Sequence, residues 1–407
     1  MAPASTTGRQ PLRRIHLPFL LGTLAQSRQG GFVALFTLEA ICRALALTVI
    51  PLRAYNLLQD AQLVSLIYVA VTVLGLAVSL AGPMLMHIVR RRWMMSLGAL
   101  LYVAAAMLFA MGTVWSVVAG LAVQTVATTV LEVTINLYVL DHVPRKLLGN
   151  FEPRRMLYSG IAFIAGPWLG VYLNQSVREN LTFALVGLTA LGFLGVFWLL
   201  RLTDNPAVAA MVKPPPRPTR YLVRFARQPR LLLAWVLAIG RNGWWVMFFI
   251  YAPIYVTEAG YSEQAGGALV SLGVLPMVLV RYWGRVGQRI GIRRLLMWGY
   301  AIEGGITIAA GLVAGLPAAA MVFLWGAAFM GTIIDAAGNV AFLRAVHPHE
   351  RSEMTAVFAT YRHGATLGMP ALFAAILTVA PLSCVFVGGG IVSLAMAWLA
   401  RYLPKRF

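Results

Sequence analysis

Apolar segments of about 20 residues alternate with short polar connections along most of the chain. A helix of that length spans the ~30 Å hydrocarbon core of a bilayer, so the pattern predicts twelve transmembrane helices. The first six predicted spans are residues 32–52, 62–82, 94–113, 116–139, 156–174 and 181–200. The second six are residues 231–255, 266–283, 295–314, 317–342, 354–378 and 382–402. The sequence therefore predicts an all-α integral membrane protein.

The connection at residues 201–230 is much longer than the others. It carries seven basic residues, and its four prolines between positions 214 and 218 favour a stiff, extended backbone. The pattern at residues 220–227 predicts a short surface helix that lies on anionic lipid headgroups. We therefore predict a cytoplasmic leader (1–31), an N-terminal six-helix bundle (32–200), a cytoplasmic linker (201–230) and a C-terminal six-helix bundle (231–403).

The distribution of charge along the chain indicates its orientation. Only 11% of the residues are charged and 60% are hydrophobic, yet the formal net charge is +20. Of the 33 Lys and Arg residues, 27 lie in the leader, the linker, the tail and every second connection. Basic residues accumulate on the cytoplasmic side of a membrane, so both termini are predicted to be cytoplasmic. The composition excludes a soluble enzyme, and no nucleic-acid partner is expected, because the basic clusters are separated by membrane spans.

The two predicted halves resemble each other in sequence. When the chain is shifted against itself by 203 residues, Glu132 meets Asp335. At the same shift Asn136 meets Asn339, so an acid-x-x-x-Asn unit recurs in spans four and ten. At a shift of 202 residues, further Pro, Gly and Arg positions coincide. These matches predict a duplicated six-helix unit, which is typical of transporters.

A basic loop motif follows the eighth predicted span. It reads GRVGQRIGIRR at residues 284–294, and a degenerate copy occupies residues 82–92. Both segments resemble the gating-loop motif of the major facilitator superfamily (G-x-x-x-D-R-x-G-R-R), although Gln288 and Met86 stand at its acidic position. The matching residues are Gly82, Arg91, Arg92, Gly284, Arg289, Gly291, Arg293 and Arg294. The resemblance implies two pseudo-symmetric six-helix halves, alternating access, and a loop that stabilises one gating state, here with a weaker or differently paired gate.

Span five carries Gly166, Pro167 and Gly170 in the pattern G-P-x-x-G. This segment is similar to the antiporter-type motif of the same family, and the resemblance implies export. Gly and Pro in membrane helices also serve close helix packing, so a purely structural role is the alternative.

Ionisable residues inside the predicted spans are the main candidates for function, because a charge in hydrocarbon is costly. They are Glu39, Arg43, Glu132, Arg241, Arg281, Glu303, Asp335 and Arg362. Four acids and four arginines cancel, which favours ion pairs between helices. The resemblance implies that spans one, four, seven and ten line a central cavity, and five of the eight residues lie on those spans. The roles of Glu303 and Arg281 stay open at this point.

Proton coupling is predicted for Glu132 and Asp335, with Glu39 as a third titrating acid. Removing a carboxyl from water favours its neutral form, so such a group exchanges a proton when its access to water changes. A purely structural ion pair is the alternative. Glu39 and Arg43 are four residues apart on one helix and can form such a pair with each other.

Polar side chains at mid-depth are predicted to bind the solute. They are Arg43, Asn136, Arg241, Asn242, Asn339 and Arg362. A planar guanidinium group suits carboxylates and phosphates, so the three arginines would suit an anionic or zwitterionic solute. Pairing of these arginines with the intramembrane acids is the alternative.

The sequence contains no motif for ATP binding, hydrolysis or metal coordination. We therefore predict no enzyme activity, no cofactor and no metal. The predicted function is proton-coupled secondary transport of a small organic solute in the cytoplasmic (inner) membrane of a bacterium, by a monomer, with export favoured. Its expected partners are the solute, protons and membrane lipid. The alternatives are proton-linked uptake of an anionic or zwitterionic nutrient, a non-transporting sensor or assembly factor, and a membrane-embedded lipid-modifying enzyme.

Overall fold

The computed structural model describes residues 28–142, 148–200, 218–347 and 351–404. Within these ranges the side chains of some segments, including residues 80–88, are not described. Most of the predicted leader and more than half of the predicted linker lie outside the described residues. The division into leader, linker and two bundles therefore stays a prediction.

Every regular element in the described part of the chain is helical. A backbone inside a bilayer has no water to bond, so it satisfies its N–H and C=O groups within helices, and long apolar runs therefore become helices. The helices of the first half are α1 (Arg28–Leu58), α2 (Ala61–Ile88), α3 (Arg91–Met111), α4 (Val114–His142), α5 (Leu148–Tyr172) and α6 (Leu181–Leu199). A π-helical turn at Leu173–Val177 extends α5.

A short helix, α7 (Pro218–Ala226), precedes the second half. The helices that follow are α8 (Pro229–Glu258), α9 (Glu263–Val274), α10 (Val280–Ile290), α11 (Ile292–Leu312), α12 (Pro317–Ala337), α13 (Val340–Ala345), α14 (Arg351–Phe358), α15 (Tyr361–Leu377) and α16 (Ser383–Ala400). Leu222 and Val223 of α7 are exposed and Phe225 is buried, so a helix with an exposed apolar face occupies the position of the predicted surface helix.

Ten helices in the described part of the chain are long and apolar enough to cross a membrane. They coincide with ten of the twelve predicted spans. The eighth predicted span corresponds to α9 and α10, which a 3-10 turn at Leu275–Leu279 separates. The eleventh corresponds to α14 and α15, which a turn at residues 359–360 separates. The all-α membrane fold class is confirmed, whereas the count of twelve spanning helices stays a prediction.

Local backbone chemistry explains two of the interruptions. Pro276 lies in the 3-10 turn after α9 and has no N–H to continue the α-helical hydrogen bonds. Gly338 follows α12 with φ +51° and ψ −132°, a conformation that is strained for a residue with a side chain. The chain resumes as α13, so predicted span ten consists of two helical pieces.

The two ends of the helix bundle differ in their connections. We call the end that holds residues 200 and 218 the linker end, and the end that holds the turns at 59–60, 178–180 and 259–262 the hairpin end. Successive spans run in opposite directions, with α9 and α10 counted as one span, so the basic connections that separate α2 from α3 and α10 from α11 also lie at the linker end.

Hydrogen bonds join the two halves at the hairpin end. The amide of Asn56, near the end of α1, donates to Oε1 of Glu263 at the start of α9 (2.5 Å). The amide of Gln264 donates to the hydroxyl of Ser176, in the turn that extends α5 (2.5 Å). The halves are therefore in direct contact at this end of the bundle.

Helix α1 packs closely against α5. A Cβ atom added to Gly166 would lie 2.7 Å from the carbonyl carbon of Ala44, and one added to Gly170 would collide with the carbonyl oxygen of Leu45. The hydroxyl of Thr182 also donates to the Gly170 carbonyl (2.5 Å). The two glycines of the G-P-x-x-G segment therefore allow the two backbones to approach each other.

Candidate functional site

A cavity of about 560 Å³ lies between the two halves. Its lining comes from α1, α2, α4 and α5 of the first half, and from α8, α15 and the turn before α15 in the second half. Helix α4 contributes one continuous face, because its lining residues recur every three or four positions. This face consists of Leu121, Gln124, Thr125, Thr128, Thr129, Glu132, Val133 and Asn136.

The cavity lies in the middle of the bundle. Its lining runs from Leu121 to Asn136 on α4, from Arg43 to Ile50 on α1 and from Val246 to Ile250 on α8, and Arg362 lies in the first turn of α15, which follows α14. The contact between Asn56 and Glu263 lies at the hairpin end, beyond the cavity lining. Beyond the cavity, described hydrogen bonds therefore join the halves at the hairpin end.

An ion pair connects the two halves at the cavity. Arg362 of α15 donates through Nη1 to Oε1 of Glu132 on α4. The two side chains are 58% and 37% exposed, so the pair is in contact with the open space of the cavity. Both charges belong to the set that the sequence singled out, and the tertiary structure makes them partners.

A second ion pair lies within α1. Arg43 contacts both carboxylate oxygens of Glu39, with Nε 2.8 Å from Oε1 and Nη2 2.9 Å from Oε2. Glu39 is buried and accepts a further hydrogen bond from the hydroxyl of Tyr102 (3.4 Å). Arg43 lines the cavity, and its guanidinium carbon lies 5.6 Å from the ring centroid of Phe163. The buried acid therefore connects to the cavity lining through Arg43 and through Tyr102, whose hydroxyl lies 2.8 Å from that of Thr128.

The acid of the second half is held within that half. Asp335 on α12 lies 3.5 Å from Nε of Arg241 and accepts a hydrogen bond from the indole N–H of Trp245 (2.8 Å). Arg241 also donates to the Gly338 carbonyl (2.6 Å) and to Oδ1 of Asn339 (3.1 Å). This arginine therefore connects α8 to the interruption between α12 and α13.

The structure divides the predicted site residues into two groups. Those that line the cavity are Arg43, Glu132, Asn136 and Arg362. Those outside its described lining are Glu39, Asp335, Arg241, Asn242 and Asn339. The roles of both groups in proton coupling and solute binding stay predictions.

Most of the polar lining was not singled out from the sequence. It includes Gln124, Thr125, Thr128, Thr129 and His363. Polar residues recur every three to four positions along span four, and this spacing could have indicated a polar helix face. The aromatic residues of the lining are Tyr68, Phe163 and Phe249. They come from three helices, so no local pattern relates them.

Glu303 lies in the interior of the second half, outside the described cavity lining. It is 1% exposed, and the hydroxyl of Ser393 on α16 donates to its Oε2 (2.9 Å). The hydroxyl of Thr307 donates to the Glu303 carbonyl (2.6 Å) and accepts from the indole N–H of Trp244 (3.0 Å). These hydrogen bonds join α8, α11 and α16. The side chain of Arg281 is not described.

The predicted gating-loop residues lie at helix ends near the linker end. They are Arg91 and Arg92 at the start of α3, Gly284 and Arg289 in α10, Gly291 between α10 and α11, and Arg293 and Arg294 in the first turn of α11. Gly82 and Met86 lie in the part of α2 whose side chains are not described, and the Gln288 side chain is not described either. The pairing of this loop therefore stays a prediction.

Known proteins resemble this chain in sequence and in structure. Residues 32–363 match the Major Facilitator Superfamily. The nucleoside transporter NupG is 12% identical, with a TM-score of 0.72 over 93% of this chain and 99% of that one. The D-xylose-proton symporter is 12% identical, with a TM-score of 0.68 over 95% and 99% of the two chains. A peptide transporter POT in complex with sulfate is 15% identical, with a TM-score of 0.68 over 91% and 93%.

No curated protein matches the sequence. At 12–15% identity the structural likeness shows the fold, whereas the sequence match, which spans well over half of the chain, shows the family. The ten apolar helices indicate an integral membrane protein, and the structural neighbours are transporters. The chain therefore belongs to the major facilitator superfamily and is a membrane transporter of small solutes rather than an enzyme.

Proposed function

We propose that this transporter moves a small organic solute across the cytoplasmic membrane by alternating access, and that it couples this movement to protons. Alternating access needs a solute site between two halves that open in turn to the two sides of the membrane. The position and size of the 560 Å³ cavity support such a site. The sequence contains no ATP-binding motif, so uphill transport by this chain depends on an ion gradient.

The contacts between the halves support an inward-facing state. The hairpin end is bridged by Asn56 with Glu263 and by Gln264 with Ser176. The cavity lies in the middle of the bundle, and the basic connections concentrate at the linker end. Basic connections favour the cytoplasmic side, so we assign the linker end and both termini to the cytoplasm.

The ion pair between Glu132 and Arg362 is the observation that carries the proposal. It joins α4 of the first half to α15 of the second, so its strength depends on how the halves are arranged. A proton on Glu132 removes the negative charge and with it the attraction. Proton occupancy therefore changes the relative free energies of the states of the transporter, which is what coupling requires.

The other two acids are secondary candidates for proton coupling. Asp335 is paired with Arg241 in its own half, so a movement of one half against the other leaves this pair together. Glu39 is paired with Arg43 on the same helix and lies behind it. Neither pair joins the two halves, and for this reason we assign the principal coupling role to Glu132.

Export by proton antiport is the favoured direction, on the resemblance of the G-P-x-x-G segment. Gly166 and Gly170 also allow α1 to pack against α5, so packing alone accounts for the segment as well. Proton-linked uptake is the second candidate, and the structural likeness to the D-xylose-proton symporter favours it. The relative direction of proton and solute movement distinguishes the two.

The proposal is tested by flux measurements in proteoliposomes that contain a pH indicator. A panel of small organic solutes is offered to the wild-type protein, and movements of solute and protons are recorded together. At least one solute is expected to move protons, in the opposite direction for export and in the same direction for uptake. If no solute moves under any gradient, the proposed function is wrong.

Two matched variants locate the coupling. Glu132→Gln is expected to abolish solute-dependent proton movement while solute exchange without a proton gradient persists. Asp335→Asn changes the equivalent position of the repeat and is expected to retain coupling. Proton movement that survives in Glu132→Gln and is lost in Asp335→Asn would transfer the coupling role to the second half.

A further inference from the structure

The walls of the cavity differ in chemistry. One wall is formed by α4 and carries amide and hydroxyl groups. The walls from α1 and α8 are apolar. Their lining residues, apart from Arg43 at the edge, are Ala46, Leu47, Ile50, Val246, Phe249 and Ile250. A molecule that fills this space meets polar atoms along one side and apolar surface along the other.

The hydroxyl of Thr129 on α4 acts as an acceptor towards the cavity. It lies 2.8 Å from the carbonyl oxygen of Thr125 and donates its single proton to the helix backbone, so its lone pairs remain for a ligand. The hydroxyl of Thr128 lies 2.9 Å from the Gln124 carbonyl oxygen and 2.8 Å from the Tyr102 hydroxyl, so it is already bonded on two sides.

Two further hydroxyls of the lining use their donors in the same way. The hydroxyl of Thr72 donates to the Thr366 carbonyl (3.3 Å), and the hydroxyl of Thr366 donates to the Arg362 carbonyl (3.0 Å). The amide of Asn136 donates one N–H to the Glu132 carbonyl (2.8 Å), which leaves its Oδ1 to accept and its second N–H to donate. The groups whose protons are bonded to the backbone therefore offer acceptors, and the lining groups that can serve as either donor or acceptor are Tyr68, Ser79, Gln124, Thr125, Asn136 and His363.

The charges at the cavity balance. Arg43 faces the carboxylate of Glu39, and Arg362 faces the carboxylate of Glu132. An anionic ligand would have to compete with a carboxylate for either guanidinium group, and a cationic ligand would have to compete with Arg362 for Glu132. A ligand without net charge displaces neither ion pair.

We infer that the solute is an uncharged amphipathic molecule with hydroxyl or amide donors along one edge and an apolar or aromatic face along the other. Its donors bind the acceptor oxygens of α4, and its face lies against α1 and α8, with Phe163 and Phe249 available for ring contacts. This inference rests on the proposed function, because it takes the cavity as the transport site. It replaces the anionic or zwitterionic solute that the three arginines suggested before their partners were known.

The inference is tested by ligand binding to the purified protein in detergent, by thermal stabilisation and calorimetric titration at one pH. The probes are phenyl glucoside, an aromatic nucleoside and a hydroxylated aryl amide. Each is paired with its fully O- and N-methylated analogue, which keeps the ring and the acceptors but lacks donors. Glucose serves as the control without an apolar face, and benzoate serves as the anionic control.

At least one donor-bearing neutral probe is expected to stabilise the protein and to bind about tenfold or more tightly than its methylated analogue, because the analogue leaves buried acceptors unpaired. Glucose and benzoate are expected to bind more weakly than that probe. Preferential binding of benzoate, equal binding of the methylated analogue, or no stabilisation by any neutral donor-bearing probe would each overturn the inference.

A pair of variants on α4 tests whether the probe binds to the acceptor oxygens of this helix. Thr129 lines the cavity, whereas Thr134 is fully buried outside its described lining, and both donate to the carbonyl four residues earlier. Thr129→Val is expected to weaken binding of the donor-bearing probe severalfold. It is expected to leave the affinity for the methylated analogue unchanged. Thr134→Val, the same change in shape, is expected to leave both affinities unchanged. Equal effects of the two variants would refute the assignment of Thr129.

The binding test is independent of proton coupling. It uses no gradient, so the solute class can fail while Glu132→Gln still abolishes proton movement. Conversely, the coupling role of Glu132 can fail while neutral donor-bearing probes still bind at Thr129. The two proposals are therefore separated by their own measurements.

Discussion

The acid-x-x-x-Asn unit occurs in both halves, and its two copies have different surroundings in the structure. In the first half α4 is unbroken, and Glu132 contacts Arg362 of the other half. In the second half α12 ends two residues after Asp335, and this acid contacts Arg241 of its own half. One copy borders the cavity between the halves, and the other lies inside a single half.

The exposure of the two ion pairs explains what this difference means. The side chains of Glu132 and Arg362 are 37% and 58% exposed, whereas those of Asp335 and Arg241 are 18% and 12% exposed. Breaking a hydrated pair costs little, because water replaces the lost partner. Breaking an enclosed pair leaves a buried charge. The same local sequence therefore provides a more exposed ion pair between the halves and a more enclosed ion pair within one half.

The positions of the two arginines explain why Glu132 and Asp335 have different ion-pair partners. At a shift of 203 residues, the position that corresponds to Arg362 is Ser159. At a shift of 202 residues, the position that corresponds to Arg241 is Glu39. The acids recur at equivalent positions but their arginines do not, so the two acids pair with arginines at different places.

Removing Arg241 is expected to have the largest effect on stability. In Arg241→Met, Asp335 keeps a buried carboxylate without its cation and the Gly338 carbonyl loses a donor, which costs about 3–5 kcal/mol of the free energy of unfolding. The matched change Arg362→Met breaks the hydrated pair and is expected to cost about 1 kcal/mol or less. Unfolding by SDS in mixed micelles measures both. Equal losses would remove the distinction between the two pairs.

Trp245→Phe is expected to cause the second-largest loss of unfolding free energy. It removes the indole N–H that donates to Asp335, and a hydrogen bond to a charged acceptor contributes about 1.5–3 kcal/mol. Trp235→Phe is the control, because that indole donates to the neutral hydroxyl of Thr360 at 3.1 Å and contributes about 1 kcal/mol. The same unfolding measurement compares them. A larger loss in Trp235→Phe would show that Asp335 does not act as a charged acceptor.

The interruption after α12 is tested by Gly338→Ala. Because φ at this position is +51° with ψ −132°, a Cβ atom is expected to destabilise the protein by about 1–3 kcal/mol. Gly305 in α11 is the control, since a Cβ added there meets nothing within 4 Å. Gly305→Ala is expected to stabilise the helix by up to about 1 kcal/mol. A neutral Gly338→Ala would mean that the interruption is not maintained by glycine.

The asparagines of the repeated unit are expected to show the smallest effects. Asn339→Ala removes an acceptor of Arg241 and is expected to cost about 0.5–1.5 kcal/mol of unfolding free energy. Asn136 is exposed and bonds only the Glu132 carbonyl among its described contacts, so Asn136→Ala is expected to be close to neutral for stability. A reversed order of the two losses would contradict the structural role assigned to the second copy.

Most of the helices could be predicted because transfer into a bilayer is a sum over neighbouring residues. The predicted spans that failed to appear as single long helices contain local interruptions, which a hydropathy average does not register. Span ten was predicted to run continuously to residue 342, yet its first helix, α12, ends at Ala337 and is followed by Gly338. The proline in the turn after α9 has the same effect on span eight.

The candidate site could be predicted only in part. Arg43, Glu132 and Arg362 stood out because a charge in an apolar segment is conspicuous. The neutral polar lining, such as Thr129, did not stand out, because threonine is common in membrane helices and back-bonds to them. The anionic solute suggested by the arginines also depended on their being free, which the sequence could not decide.

The sequence by itself determined the membrane architecture, the family and the set of charged residues within the helices. Only the tertiary structure decided which acid pairs with which arginine, and which of these pairs borders the cavity. The cost of placing a residue in hydrocarbon is a property of that residue and its neighbours, so a sequence carries it directly. An ion pair such as Glu132 with Arg362 joins positions 230 residues apart, and its strength depends on a distance and an exposure that exist only after the helices have packed.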